Sequence, residues 1–184
     1  TTVEKTQELS VIHVEGPDGR PVAPVFSSVS KMAAWNPQAR PIPVEASRAA
    51  LAAADDLLRL IVLDPGSEHT VVLRAGALRA LASKSRYIPP WCDEAVAKEI
   101  ARGLEHAYSD VLSEIERDAV VHRLATGDRH HNLSGAEVQV ELVLPQGLGR
   151  DQLEALLSKA TVAWSDSAVL AERVDGLAVK VVAA

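Results

Sequence analysis

The chain has 184 residues, a formal net charge of −6 and a hydrophobic fraction of 47%. This apolar content excludes an intrinsically disordered chain, and a single cysteine excludes a disulfide framework. No apolar run approaches the ~20 residues that span a bilayer, so we expect no membrane partner. A soluble globular protein is the class that this composition predicts.

The charge is divided unevenly along the chain. Residues 1–88 carry ten Lys and Arg against nine Asp and Glu, whereas residues 89–184 carry nine against sixteen. An acidic half is a poor match for a phosphate backbone, and six aromatic residues leave few surfaces for stacking bases. We therefore expect no nucleic-acid partner.

The first half is predicted to fold in the order β-β-α-β-α-β-β-α. Residues 10–15 alternate as a strand does, the Gly-Pro-Asp-Gly turn follows at 16–19, and Val22 to Phe26 completes a hairpin. The remaining predicted elements are a helix capped by Ser28 or Ser30 that stops at Asn36-Pro37, an edge strand at 41–45, helices at 47–56 and 77–82, and strands at 58–63 and 70–73. This order indicates an α/β domain with a mixed sheet.

The second half is predicted to fold in the order α-β-β-α-β. Residues 83–90 form the candidate linker, because neither neighbouring helix can cross Pro89-Pro90. The predicted elements are a helix from Asp93, strands at 119–124 and 137–144, a helix opened by Asp151, one further helical turn near Leu170, and a strand at 177–182. We predict two small mixed-sheet domains, residues 1–88 and 89–184, of the α/β (α+β) class.

Few side chains are arranged for catalysis or metal binding. His130 and His131 are adjacent, so on a strand they would point to opposite sides and could not easily share an ion. We interpret them as part of a solvated loop and predict no metal site. A Cys92–His106 dyad would need the fold to unite two distant residues, and a packed linker thiol is the favoured interpretation.

The sequence contains no complete cofactor-binding motif. Gly147-Leu148-Gly149 lies between a strand and a helix, but Gln152 stands where a dinucleotide fingerprint needs its third glycine. Asp151 is better suited to the helix start, as its cap or as an acid in its first turn. We predict no cofactor.

Two regions are candidates for contact with a ligand or partner. Asp64 and Gly66 belong to an Asp-Pro-Gly turn after a buried strand, where ligand sites of α/β sheets often lie. Trp35, beside Asn36, and Trp91, at the end of the linker, are either surface anchors for a partner or fillers of the core and of the seam between the domains.

Several short motifs resemble the SseB family. They are PVFSS at 24–28, AAWNP at 33–37, PIPV at 41–44 and LIVLDPGS at 60–67, followed by RLATGD at 123–128, PQGL at 145–148 and ERVDGLAV at 172–179. The resemblance implies an N-terminal and a C-terminal SseB domain of the actinobacterial type, with Asn in many members at the position of Asp64. The family name refers to enhanced serine sensitivity, and the resemblance implies no catalytic residues.

We therefore expect a cytoplasmic, non-enzymatic binding or adaptor protein with a protein partner. The single thiol suits the reducing cytoplasm, although the chain begins without an initiator Met, which leaves a removed signal segment open. The expected contact surface comprises Trp35, Asn36, Asp64, Gly66 and Trp91. An amino-acid sensor that binds between the domains is the alternative, an enzyme using Asp64 or Cys92 is the third hypothesis, and self-association stays open.

Overall fold

The structure, a computed structural model, describes residues 12–16, 18–55, 60–113, 117, 120–128, 133, 135–144 and 147–183. These residues divide into two compact units. The first contains the chain up to Tyr87 together with Leu133, and the second contains the remainder from Ile88 onward. Each unit has its own mixed sheet with helices, which confirms the predicted α/β (α+β) class.

The sheet of the first unit has four strands in the order β1-β2-β3-β4. They are β1 (Val14–Glu15), β2 (Pro21–Val25), β3 (Ile61–Leu63) and β4 (Val71–Leu73). The pairs β1–β2 and β3–β4 are antiparallel, and the central pair β2–β3 is parallel. The predicted hairpin is confirmed, with the Gly16 N–H donating to the Arg20 carbonyl at 2.7 Å.

Three helices accompany this sheet: α1 (Val29–Trp35), α2 (Ala46–Asp55) and α3 (Ala75–Ala82). The ends of α1 are those that the sequence predicts. Ser28 is the N-cap, and its Oγ accepts the Lys31 N–H at 3.3 Å. Asn36 is the C-cap and donates its N–H to the Met32 carbonyl. Pro37 follows immediately, where it cannot extend the helix.

The edge strand predicted at 41–45 is wrong. In the described part of the first unit this segment joins no sheet, and the order of elements there is β-β-α-α-β-β-α. Pro41 and Pro43 have no N–H to donate to a strand ladder, so the segment has only a reduced capacity to pair. The consequence is that Ile42 remains 71% exposed.

Each face of the first sheet has its own core. The helix-covered face packs small side chains, namely Ala23, Ala50, Ala53, Ile61 and Leu78. The opposite face, here called the outer face, consists of Val22, Leu60, Val62 and Val72 and packs with Leu133. Leu133 follows the first strand of the second sheet along the chain. It is only 5% exposed and has a φ of +66°, a conformation that a leucine rarely adopts.

The sheet of the second unit has three strands in the order β5-β6-β7. They are β5 (Val121–Ala125), β6 (Val138–Leu144) and β7 (Leu177–Ala183), with β5 antiparallel and β7 parallel to β6. The helices are α4 (Glu94–Val111), α5 (Arg150–Ser165) and α6 (Ala168–Arg173), and a 3-10 turn spans Pro90–Cys92. The predicted order and the extra helical turn are confirmed. Residues 10–11, 58–59 and 119 of the predicted strands lie outside the described residues.

Helices α4 and α5 cover one face of the second sheet. Their core includes Val96, Ile100, Leu104, Val140, Leu142, Leu156 and Trp164. Trp164 donates its Nε1–H to the Ile100 carbonyl at 3.2 Å. A Cβ atom on Gly103 would lie 2.4 Å from that same Nε1, so only glycine lets α4 approach the indole ring. Trp164 is therefore a core residue.

No helix in the described part of the chain is long and apolar enough to cross a bilayer.

Candidate functional site

Strands β2 and β3 end side by side in the first unit. Val25 and Leu63 are register partners, and the Asp64 N–H continues the parallel pairing with a 2.8 Å bond to the Val25 carbonyl. The segments that follow the two strands therefore meet at one edge of the sheet. Ligands of α/β sheets bind at this end of parallel strands. The strand-end cluster, as we call it, comprises Phe26, Ser27, Lys31, Trp35, Asp64 and Gly66.

The Asp64 carboxylate is the polar centre of the strand-end cluster. Its residue is 3% exposed. One oxygen, Oδ1, accepts the Ser27 N–H at 2.7 Å, and Oδ2 accepts the Ser27 hydroxyl at 2.8 Å and Lys31 Nζ at 2.6 Å. The carboxylate thus joins the end of β3 to the segment after β2 and to the first turns of α1. This interaction connects parts of the chain that are more than 30 residues apart.

Two opposing effects determine the ionisation of Asp64. Burial alone would raise the pKa of this carboxyl group, but the bonds from Lys31 and Ser27 outweigh it and hold the pKa below its ordinary value. The carboxylate is therefore ionised at neutral pH, and its lone pairs are directed at donors of the protein. A general base needs a lone pair directed at its substrate, so this arrangement is suited to structure more than to proton transfer.

The Asp-Pro-Gly sequence forms a turn, which is the interpretation that the sequence favours. Asp64 has a φ of +53° and Gly66 a φ of +76°. Asp tolerates this left-handed conformation better than most residues do. The turn is closed by the Thr70 hydroxyl, which donates to the carbonyls of Asp64 and Ser67 at 2.9 Å each.

Trp35 is the large apolar member of the strand-end cluster. It is the last residue of α1, and its ring centroid lies 5.3 Å from that of Phe26 at an interplanar angle of 44°. A Cβ atom on Gly66 would lie 3.9 Å from Trp35 Cδ1, an ordinary van der Waals distance. The indole thus packs against Phe26 and lies near Gly66, yet 38% of the residue remains exposed.

Asn36 has a local role next to Trp35. Its Oδ1 accepts the Gln38 N–H at 2.9 Å, and its carbonyl accepts the Ala39 N–H at 3.0 Å. These bonds turn the chain away from α1 and direct the following segment. The side-chain oxygen of Asn36 is thus engaged in the turn.

Helix α1 and the chain that follows it display further apolar side chains. Val29 is 61% exposed, Ile42 71% and Val44 37%, on either side of Trp35 in sequence. We call residues 29–44 the apolar segment. Among the described residues no strand neighbour covers Ile42 and Val44. Contiguous exposed apolar patches are typical of interaction surfaces, and these exposed side chains lie close together in the sequence.

The structure brings together only some of the site residues that the sequence predicts. Trp35, Asp64 and Gly66 meet in the strand-end cluster, and Asn36 adjoins it. Trp91 belongs to the second unit, where it is half-buried in the 3-10 turn at Pro90–Cys92. Sequence reasoning missed that Lys31 and Ser27 belong to this cluster. Their signal is a serine two residues after the end of a parallel strand and a lysine one helical turn later.

The other predicted chemical groups do not form a site in the described part of the chain. Cys92 has an exposed thiol, and no bond joins it to His106 among the described residues. His130 and His131 lie outside the described residues. Within those residues, no three His, Cys, Asp or Glu side chains are placed to hold a metal ion.

A small cavity lies elsewhere in the first unit. It has a volume of about 120 Å³ and is lined by Ala54, Ala75, Leu78 and Arg79, from α2 and α3. Pockets that bind small molecules usually measure ~300–1,000 Å³. None of the site residues predicted from the sequence lines this cavity.

Comparisons with known proteins identify the first part of the chain. Residues 1–80 match the family model described as the SseB protein N-terminal domain. The whole strand-end cluster and the apolar segment lie inside this match. No curated protein and no solved structure matches the chain. The resemblance of the second half to a C-terminal SseB domain stays a prediction.

Proposed function

We propose that this chain, whose residues 1–80 carry the N-terminal domain of the SseB family, is a non-enzymatic binding protein that recognises a protein partner with the apolar segment, residues 29–44. The observation that carries the proposal is the half-exposed Trp35, held on a scaffold that bonds around Asp64 fix in place.

Rigidity is the first support for the proposal. Trp35 is anchored at the end of a capped helix, against Phe26, and α1 is tied to the sheet through Lys31 and Asp64. A partner that contacts such a surface has little side-chain freedom to immobilise, which lowers the entropic cost of association. Tryptophan is also among the residues that most often dominate binding energy at interfaces.

The engagement of Asp64 is the second support. Its carboxylate accepts three hydrogen bonds from Ser27 and Lys31, so the group most suited to acid–base chemistry in this cluster is already occupied. The proposal therefore assigns Asp64 a positioning role beneath the surface that carries Trp35. It requires no cofactor, and it places the protein in the cytoplasm because the single cysteine suits a reducing compartment. The link to serine sensitivity stays a prediction.

The proposal is tested by comparing two surface variants of the full chain. Ile42→Glu introduces a charge into the apolar segment at a residue that is 71% exposed, and Leu51→Glu introduces the same charge on α2 at a residue that is 53% exposed. Both are expected to fold, because neither charge is buried. Each variant serves as bait in extracts of the cells that make the protein, and captured proteins are compared with those of the wild type.

We expect the wild type and Leu51→Glu to capture a common protein that Ile42→Glu loses. A purified complex of that protein with the wild type should then weaken at least about tenfold for Ile42→Glu, which corresponds to about 1.4 kcal/mol. Equal capture by both variants would place the contact elsewhere and overturn the assignment to the apolar segment. Far-UV circular dichroism confirms that both variants are folded.

A further inference from the structure

The second sheet has a face opposite to α4 and α5 whose nine side chains are all described. On β6, the residues Val140, Leu142 and Leu144 point into the helix-covered core. Alternate residues of a strand point to opposite sides, so the residues between them occupy the other face. We call this the open face. It consists of Val121, Arg123 and Ala125 from β5, Gln139, Glu141 and Val143 from β6, and Ala178, Lys180 and Val182 from β7.

The strand register arranges the open face in three rows. The central row is charged, because Arg123 and Lys180 are both register partners of Glu141. The next row contains only valines, since Val121 and Val182 both pair with Val143. The third row places Gln139 between two alanines. The open face thus has a valine row directly beside a charged row.

The charged row presents positive charge to the outside. Glu141 is only 5% exposed, and its carboxylate accepts bonds from Arg123 Nε, from Gln139 Nε2 at 3.0 Å and from Lys180 Nζ at 3.5 Å. These bonds hold the pKa of Glu141 below its ordinary value, Arg123 being the main cause. The two cations lie outside it, with side chains 74% exposed for Arg123 and 57% for Lys180.

Both cations can bind further carboxylates. Arg123 bonds Glu141 through Nε and its side chain is 74% exposed, so its terminal nitrogens are accessible, and a guanidinium binds carboxylates in a bidentate manner. Lys180 has three N–H donors and uses one toward Glu141. Residues 89–184 carry sixteen Asp and Glu against nine Lys and Arg. The two cations of the charged row are therefore a local positive patch in an acidic half of the chain.

We infer that the open face binds an acidic amphipathic helix, with its carboxylates on the charged row and its aliphatic side chains on the valine row. The spacing supports a helix. Residues two apart on a strand are about 6.6–6.8 Å apart along the strand, and residues four apart on a helix are about 6 Å apart along its axis. A helix with Glu at one position and Leu four positions later therefore matches both rows. The inference concerns a different unit from the proposed function and stands without it.

The probe is a fluorescein-labelled 20-residue peptide with Glu and Leu at positions i and i+4 of one helical face. A matched peptide has Lys in place of each Glu. Binding to the full chain is measured by fluorescence anisotropy in 50 mM and in 300 mM NaCl. The test variant is Val121→Glu, at a residue that is 58% exposed, and its matched control is Val162→Glu, at a residue of α5 that is 60% exposed.

We expect saturable binding of the Glu peptide that weakens in 300 mM NaCl, because screening reduces attraction between exposed charges. Val121→Glu and the double variant Arg123→Gln/Lys180→Gln should each weaken binding at least about tenfold, whereas Val162→Glu should change it less than about twofold. The Lys peptide should bind at least about tenfold more weakly.

Absence of binding by the wild type, equal binding of both peptides, or equal effects of Val121→Glu and Val162→Glu would overturn the inference. Val121→Thr retains the branched β-carbon and adds no charge, so it is expected to bind better than Val121→Glu. Thermal unfolding of both variants shows whether a loss of binding is caused by a loss of folding.

Discussion

The strand-end cluster makes a quantitative prediction for Asp64→Ala. The substitution removes the acceptor of three hydrogen bonds from Ser27 and Lys31 and places an alanine at a φ of +53°. Bonds to a charged group contribute about 1.5–3 kcal/mol each when buried. Ser27 and Lys31 are partly exposed, however, and water can replace their lost acceptor. We therefore assign the three bonds together about 2 kcal/mol.

The left-handed backbone adds to this loss. An L-residue with a β-carbon pays about 1–2 kcal/mol in that region, and Asp64 already pays part of this cost, so replacement by alanine adds at most about 1 kcal/mol. The sum for Asp64→Ala is about 2–3 kcal/mol of unfolding free energy. Asp64→Asn keeps the conformational tolerance and one carbonyl acceptor, so we expect only about 1–2 kcal/mol for this variant.

The assay is urea unfolding combined with native-state amide exchange. Exchange reports on the first unit directly, because the Asp64 N–H itself bonds to Val25 and the Ala23 N–H bonds to Leu60. Asp166→Ala, at an exposed residue, is the control and should change stability by less than about 0.5 kcal/mol. Equal losses for Asp64→Ala and Asp166→Ala would refute the structural role of the carboxylate.

The ionisation of Asp64 makes stability depend on pH. The pKa of Asp64 is lower in the folded protein than the ordinary value of 3.8 for an aspartate. The unfolded chain therefore binds the proton more readily, and stability falls as the pH drops from about 4 through the folded pKa. The stability difference between the wild type and Asp64→Asn should be full above about pH 5 and should shrink in that acidic range. A difference that is constant from pH 7 to pH 2.5 would contradict this.

Three further substitutions test the packing of the two units. Gly103→Ala should cost about 2–3 kcal/mol, because the added methyl would lie 2.4 Å from Trp164 Nε1; an unchanged urea midpoint would refute the close helix approach. Tyr108→Phe should gain up to about 1 kcal/mol at pH 7, since the buried hydroxyl has no partner among the described residues. Burial raises the pKa of Tyr108 to about 12, so the wild type, unlike Tyr108→Phe, should lose additional stability between pH 10 and 12. Leu133→Ala should cost about 2–3 kcal/mol and lower amide protection in β2 and β3, because the side chain packs on the outer face of the first sheet; protection equal to that of the wild type would contradict this.

Local patterns predicted most of the elements. The ends of α1 follow from Ser28 and from Asn36-Pro37, and α4 begins after Asp93, whose carboxylate accepts the Ala95 N–H at 2.8 Å. A cap is formed by residues that are close neighbours in the chain, so it can be recognised from the sequence alone. The sequence predicts at best an edge strand at 41–45, because two prolines lie in it, and the structure shows that these prolines leave too few N–H groups for even an edge strand.

The candidate site was harder to predict than the fold. Asp64 and Trp35 stand out in the sequence as a turn residue and a rare aromatic. The bond from Lys31 to Asp64 depends on the parallel register of β2 and β3, which no short motif specifies. Leu133 is a similar case, because its place on the outer face of the first sheet depends on contacts far from it in sequence. Long-range pairing decides both positions.

Photo-crosslinking in living cells tests the central proposal most directly. A benzoylphenylalanine at position 42, in the apolar segment, is compared with one at position 51 on α2, both being exposed positions of the same unit. Binding through the apolar segment predicts a discrete protein adduct from position 42 that position 51 does not form. It also predicts that Trp35→Ala, in a chain shown to be folded, removes the adduct. The same adducts from both positions, or none from position 42, would contradict the proposal.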